Sequence, residues 1–189
     1  MHPQATVSEC RLRLAELIQE HALKLGDFTL ASGQKSTYFI DGKLVTLQSE
    51  GAYCLARCIL DMIEGSEVEA VGGMSLGADP IAGAVAALAG AEGKSLLAFL
   101  VRKEQKDHGT RKQVEGPLPE GAKVIMLEDV VTTGGSTLDA IEAMEREKKA
   151  QVLGVVAMVD RLQGARENLA AKGYELQSVF TIAELGVKV

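Results

Sequence analysis

Apolar residues recur at Leu12, Leu14, Leu17, Ile18, Ala22 and Leu25, a rhythm of three and four. It predicts a helix over 8–25, with Ser8 as its N-cap and Gly26 and Asp27 as its stop. The pattern then shortens: Phe28-Thr29-Leu30, a turn at Ser32-Gly33-Gln34-Lys35, and Thr37-Tyr38-Phe39-Ile40 predict two short paired strands. A helical rhythm returns over 49–64, and from there strands alternate with helices. Strands are predicted over 68–73, 95–101, 124–127, 152–159 and 176–182, and helices over 80–88, 136–149 and 165–172. The middle strands are continuous apolar runs, as expected of strands buried on both faces. The alternation predicts an α/β fold whose mostly parallel central sheet is flanked by helices, with ligands bound at the carboxyl ends of the strands. One stretch breaks the alternation: about twenty residues between Val101 and Lys123 carry few apolar positions and read as a lid or binding loop.

Length and composition narrow the picture. A chain of 189 residues with 47% apolar and 24% charged positions is read as one compact domain over 1–189, with about 1–45 forming an N-terminal appendage. A net charge of −6 argues against broad binding of nucleic acid. Cys10, Cys54 and Cys58 have neither a disulfide-framework nor a zinc-site spacing, and are read as core residues. The N-terminus has no basic start followed by an apolar run, and no apolar stretch reaches membrane-spanning length. A soluble domain of a reducing cytoplasm is expected.

Chemistry concentrates at 124–137. The apolar run Val124-Ile125-Met126-Leu127 leads into Glu128-Asp129, then Val130-Val131-Thr132-Thr133-Gly134-Gly135-Ser136-Thr137, then a helix. The glycines allow a tight turn, and N–H groups at a helix N-terminus suit a phosphate. Two acids beside it would repel a bare phosphate but accept hydrogen bonds from sugar hydroxyls. The combination describes a ribose 5-phosphate site. No Lys follows the glycines, which excludes a P-loop, and no G-x-G-x-x-G is present.

The second constellation is Arg102-Lys103-Glu104-Gln105-Lys106-Asp107-His108-Gly109-Thr110-Arg111-Lys112, six cationic or His residues in eleven positions of an acidic chain. A solvated loop is the ordinary explanation of such a run. After a central strand it also suits a lid over a polyanion, stabilising charge that grows on a leaving group. The third is Val159-Asp160-Arg161 at another strand end. Arg161 pairs structurally with Asp160 or offers a guanidinium fork to a planar anionic substrate.

These motifs resemble the type I phosphoribosyltransferases, and the basic run resembles the catalytic loop of the orotate phosphoribosyltransferases in particular. The likeness extends from about residue 12 to 187. It implies the type I fold, with 26–41 as a hood over the base. Transfer of a 5-phosphoribosyl group from phosphoribosyl pyrophosphate (PRPP) to orotate, in pyrimidine biosynthesis, is the implied activity. It further implies that Glu128 and Asp129 hold the ribose hydroxyls, that Val130 and Val131 with Thr132, Thr133, Gly134, Gly135 and Ser136 form the PRPP loop, and that Arg102, Lys103, Lys106 and His108 bind pyrophosphate. Lys103, Lys106, His108 and Asp129 become the implied catalytic residues, and Thr132 and Arg161 the orotate contacts. Magnesium is expected through PRPP rather than through metal ligands of the chain, and a homodimer is expected in which each basic loop closes over the neighbouring subunit. Ala31 stands where many relatives have Lys, the turn 73–79 lacks their Lys, and Leu162 and Gln163 stand where an acid is frequent. A purine phosphoribosyltransferase and a non-catalytic nucleotide sensor are the alternatives.

Overall fold

The computed structural model describes residues 5–29, 35–104 and 112–188. Helix α1 (Val7–Leu17) is capped by Thr6 rather than Ser8. The Thr6 hydroxyl accepts from the Glu9 N–H and the Glu9 carboxylate accepts from the Thr6 N–H, a reciprocal capping box. The helix passes into one π-helical turn over Ile18–Ala22, and the chain enters strand β1 (Leu23–Thr29) before Gly26 is reached. The predicted helix is therefore too long at its end. Pairing decides the outcome: β1 runs antiparallel to β2 (Lys35–Ile40), with Leu23 opposite Ile40 and Leu25 opposite Tyr38. A short helix α2 (Lys43–Thr46), absent from the periodicity, leads into α3 (Ser49–Met62).

The body is an α/β sheet. Strands β3 (Ala70–Met74), β4 (Leu97–Val101), β5 (Val114–Glu115), β6 (Lys123–Val131), β7 (Gln151–Asp160) and β8 (Leu176–Thr181) lie in the order β5-β4-β3-β6-β7-β8. All neighbours are parallel except β5, which runs antiparallel to β4. That edge strand occupies part of the segment the apolar pattern predicts as a structureless loop. Helices α4 (Asp79–Ala91), α5 (Gly135–Lys148) and α6 (Ala165–Ala170) connect the strands.

Side-chain alternation along β6 shows why both faces are covered. Ile125 and Leu127 join a core cluster with α1, α3 and α4, whereas Val124 and Met126 join a second cluster with α5 and α6. Cys10, Cys54 and Cys58 are buried in the first cluster, with no disulfide among the described residues. Burial pushes Cys54 up to about 12 and Cys58 up to about 11, so neither is a ready thiolate. Strand β6 also runs beyond its predicted end at Leu127. Glu128, Val130 and Val131 keep the register with Ala157, Val159 and Asp160, so the acid pair sits on the strand itself rather than in the turn after it.

Candidate active site at the strand ends

The carboxyl end of β6 is the centre of the site. Glu128 is only 6% exposed, and its Oε1 accepts from the Thr137 hydroxyl at 2.8 Å and from Ser136 at 3.5 Å. The strand is thereby tied to the first turn of α5. Gly134 caps that helix with φ +79°, a left-handed conformation that favours glycine, and no side chain caps the first turn. Those first-turn N–H groups point where a phosphate would lie. Thr132 is half-buried, while Thr133, Gly135 and Ser136 are exposed along the loop. The loop is braced from α6, where the Asn168 amide donates to the Thr133 carbonyl at 2.9 Å.

Asp129 lies where three segments meet. A Cβ on Gly77, in the turn after β3, would fall 2.4 Å from the Asp129 carboxylate. A Cβ on Gly42, just after the hairpin, would fall 2.8 Å from its side chain. Both positions must stay bare for this acid to keep its place. Burial raises the Asp129 carboxyl above its ordinary range, and the charge of nearby Lys43 works against that rise. Lys43 is itself paired with Asp41 at 2.7 Å.

Burial pushes Glu128 up to about 7, with Asp129 adding to the rise and the Thr137 hydroxyl opposing it. The direction has a consequence for stability. Between the ordinary value of 4.5 and about 7 the folded chain holds a proton that the unfolded chain releases, so this contribution falls as pH rises through that window. Glu128→Gln should therefore raise the melting temperature of the ligand-free protein at pH 8, by about 1–3 kcal/mol of stability, and change little at pH 5. Scanning calorimetry at the two pH values checks this; an unchanged or lower melting temperature at pH 8 would contradict it.

A cavity of about 450 Å³ opens beyond β3 and β4, lined by Ser75, Asp79, Arg102, Lys103 and Glu115 among others. Ser75 donates to Asp79 at 2.8 Å, and Arg102 pairs with Glu115 at 3.1 Å. Arg102 and Lys103 thus stand at a hollow whose turn also touches Asp129 through Gly77. Lys106 and His108 lie outside the described residues, as do Ala31 and residues 32–34 of the predicted turn, whose last residue, Lys35, belongs instead to β2. Lys35 is exposed and donates to the Thr29 hydroxyl at 3.2 Å.

Arg161 begins beside the same loop, its N–H donating to the Val131 carbonyl at 3.0 Å. Its side chain is 8% exposed. Pairing with Asp160, the structural alternative, does not occur: Asp160 accepts from Arg166 at 3.0 Å and from the Leu162 N–H at 2.8 Å. Arg161 instead donates from Nε to the Tyr38 hydroxyl at 2.9 Å, and its guanidinium carbon stands 4.7 Å from the Tyr38 ring centre. Its Nη2 is buried without a hydrogen-bond partner among the described residues. Phe39, the other hood aromatic, points elsewhere and packs on Phe28 with ring centres 5.9 Å apart. The sequence places Tyr38 in the hood and Gly77 in the turn 73–79, but neither the bond of Tyr38 to Arg161 nor the approach of Gly42, Lys43 and Gly77 to Asp129 is legible in it. Only the long-range packing brings them there.

A mostly parallel sheet whose strand ends bring together an acid pair, a glycine-rich turn at a helix start and a buried arginine defines a phosphoribosyl-transfer class of protein. The family model "Phosphoribosyl transferase domain" matches residues 52–184. The orotate phosphoribosyltransferase of Synechocystis is 47% identical over 182 residues, covering 96% of this chain and 91% of that protein. That of Aquifex aeolicus is 43% identical over 178 residues, covering 93% and 97%. The crystal structure of Mycobacterium tuberculosis orotate phosphoribosyltransferase in complex with PRPP aligns with a TM-score of 0.79 at 34% identity, over 94% of this chain and 99% of that one. The chain belongs to the orotate phosphoribosyltransferase family.

Proposed function

We propose that the protein transfers the 5-phosphoribosyl group from PRPP to N1 of orotate, giving orotidine 5-monophosphate and pyrophosphate in pyrimidine biosynthesis. The observation that carries the acceptor assignment is Arg161: a buried guanidinium whose Nη2 has no partner among the described residues, beside the loop 132–136. Orotate has a carboxylate to meet it, and purine bases have none. In the reaction the C1–O bond to pyrophosphate breaks, the C1–N1 bond forms and the N1 proton is released. The loop 132–136 holds the 5-phosphate, Glu128 and Asp129 accept from the ribose hydroxyls and face the developing ribosyl cation, and Thr132 and Arg161 hold orotate. Arg102, Lys103, Lys106 and His108 stabilise the departing pyrophosphate.

Magnesium carried by PRPP would neutralise pyrophosphate charge. The two carboxyl groups fit such a partner, since burial holds both above their ordinary range and a nearby cation would bring them down. The family resemblance of the basic run supports a homodimer as the working unit, and buried thiols without a disulfide suit a cytoplasmic setting. No helix among the described residues is long and apolar enough to cross a membrane. An acceptor panel tests the reading: with PRPP and magnesium, orotate should be consumed and adenine, hypoxanthine and xanthine left untouched. Preference for a purine, or retention of all function in Lys106→Ala, would overturn it in favour of a purine enzyme or a sensor.

A further inference from the structure

We propose that Tyr38 is a positioning residue for Arg161, fixing its guanidinium so that the remaining N–H edge meets the carboxylate of the acceptor. The proposal rests on the reading of Arg161 as the acceptor's partner. A buried cation without an anion is unfavourable unless something holds it and something completes it. Among the described residues no carboxylate pairs with Arg161, because Asp160 is committed to Arg166. What holds it is one side chain acting in two ways. The Tyr38 hydroxyl accepts from Nε at 2.9 Å, and the ring lies 4.7 Å from the guanidinium carbon. A hydrogen bond in the guanidinium plane together with a ring contact removes most of the rotational freedom of a long side chain.

Tyr38 is itself well anchored. It is 5% exposed, belongs to the core cluster that contains α1 and α3, and sits opposite Leu25 in the hairpin. The Ser36 hydroxyl donates to its carbonyl at 2.7 Å. The hairpin thus reaches across the chain to prepare a group just after β7. Since Tyr38 uses Nε, the two terminal nitrogens are left for a planar anion, and Nη2 is buried with no hydrogen-bond partner among the described residues. An acceptor lacking a carboxylate would leave that N–H buried and unmatched, which is how a site built for a polar group rejects its absence.

The test is a pair of variants at Tyr38 with Arg161→Met as reference. Tyr38→Phe, which keeps the ring, should raise KM for orotate about tenfold, the loss expected for a hydrogen bond to a charged group. KM for PRPP should stay the same, and kcat should change less than KM. Tyr38→Leu, which removes both contacts, should raise KM for orotate further, by about 50-fold. In the Arg161→Met background Tyr38→Phe should add less than about twofold, because the residues act through one another. An unchanged orotate KM in Tyr38→Phe and Tyr38→Leu overturns the positioning role alone. So does a Tyr38→Phe effect of equal size with and without Arg161, the mark of a merely structural contribution. If Arg161→Met leaves the orotate KM unchanged, the acceptor-site reading has failed and this proposal with it.

Discussion

Asp129→Asn is expected to lower kcat by about 10²–10³-fold, the usual loss when one preorganised charge facing a transition state is removed. The protein should remain folded, because the amide replaces a carboxyl that burial already disfavours as an anion. Asp129 is held at the meeting point of the turn after β3, the segment after the hairpin and β6 itself. Gly77→Val supplies a second route to the same loss. Its Cβ would fall 2.4 Å from the Asp129 carboxylate and displace it without changing its charge. A misplacement of about an ångström in such a site can cost about 10²-fold. Steady-state kinetics with both substrates measures both variants. Activity within about fivefold of the parent in Asp129→Asn would remove this acid from the chemistry, since an ordinary transition-state contact is worth more than that.

Arg161→Met is expected to raise KM for orotate by about 100-fold, the loss typical of a buried, charge-assisted hydrogen-bond pair. The flexible apolar chain of Met fills much of the space of the arginine stem, so packing against Tyr38 is partly kept. KM for PRPP should stay near the parent value, because the loop 132–136, the proposed 5-phosphate site, lies between β6 and α5 and is braced by Asn168. The split between the two substrates is the informative part. Equal increases in both KM values would mean that the Arg161 side chain supports the fold of the site through its bond to Tyr38 rather than reading the acceptor.

Much of this site is visible in the sequence because its parts are local. The acids, the glycines and the hydroxyls of 128–137 are contiguous, and their order along one strand, one turn and one helix is itself the chemistry. The parallel sheet is visible for a related reason: continuous apolar runs can be satisfied only by covering both faces. What local patterns miss is what distance in the chain decides. Tyr38 and Arg161 are 123 positions apart, and nothing in either neighbourhood announces their hydrogen bond. Gly42 and Gly77 look like ordinary turn residues until Asp129 is seen against them. The end of the first helix is misread because Ala22 and Leu25 fit its rhythm, whereas pairing of Leu23 with Ile40 and of Leu25 with Tyr38 draws the chain into a strand. Glu128 is read as following a strand that ends at Leu127, yet the continued pairing of β6 with β7 keeps it on the strand, where burial pushes its carboxyl up to about 7.

The most direct measurement follows orotate and pyrophosphate together in one reaction with purified protein and magnesium. Orotate absorbance should fall only when PRPP is present, with one pyrophosphate released for each orotate consumed. No loss of orotate at high enzyme concentration, or pyrophosphate released without orotate consumption, would contradict it.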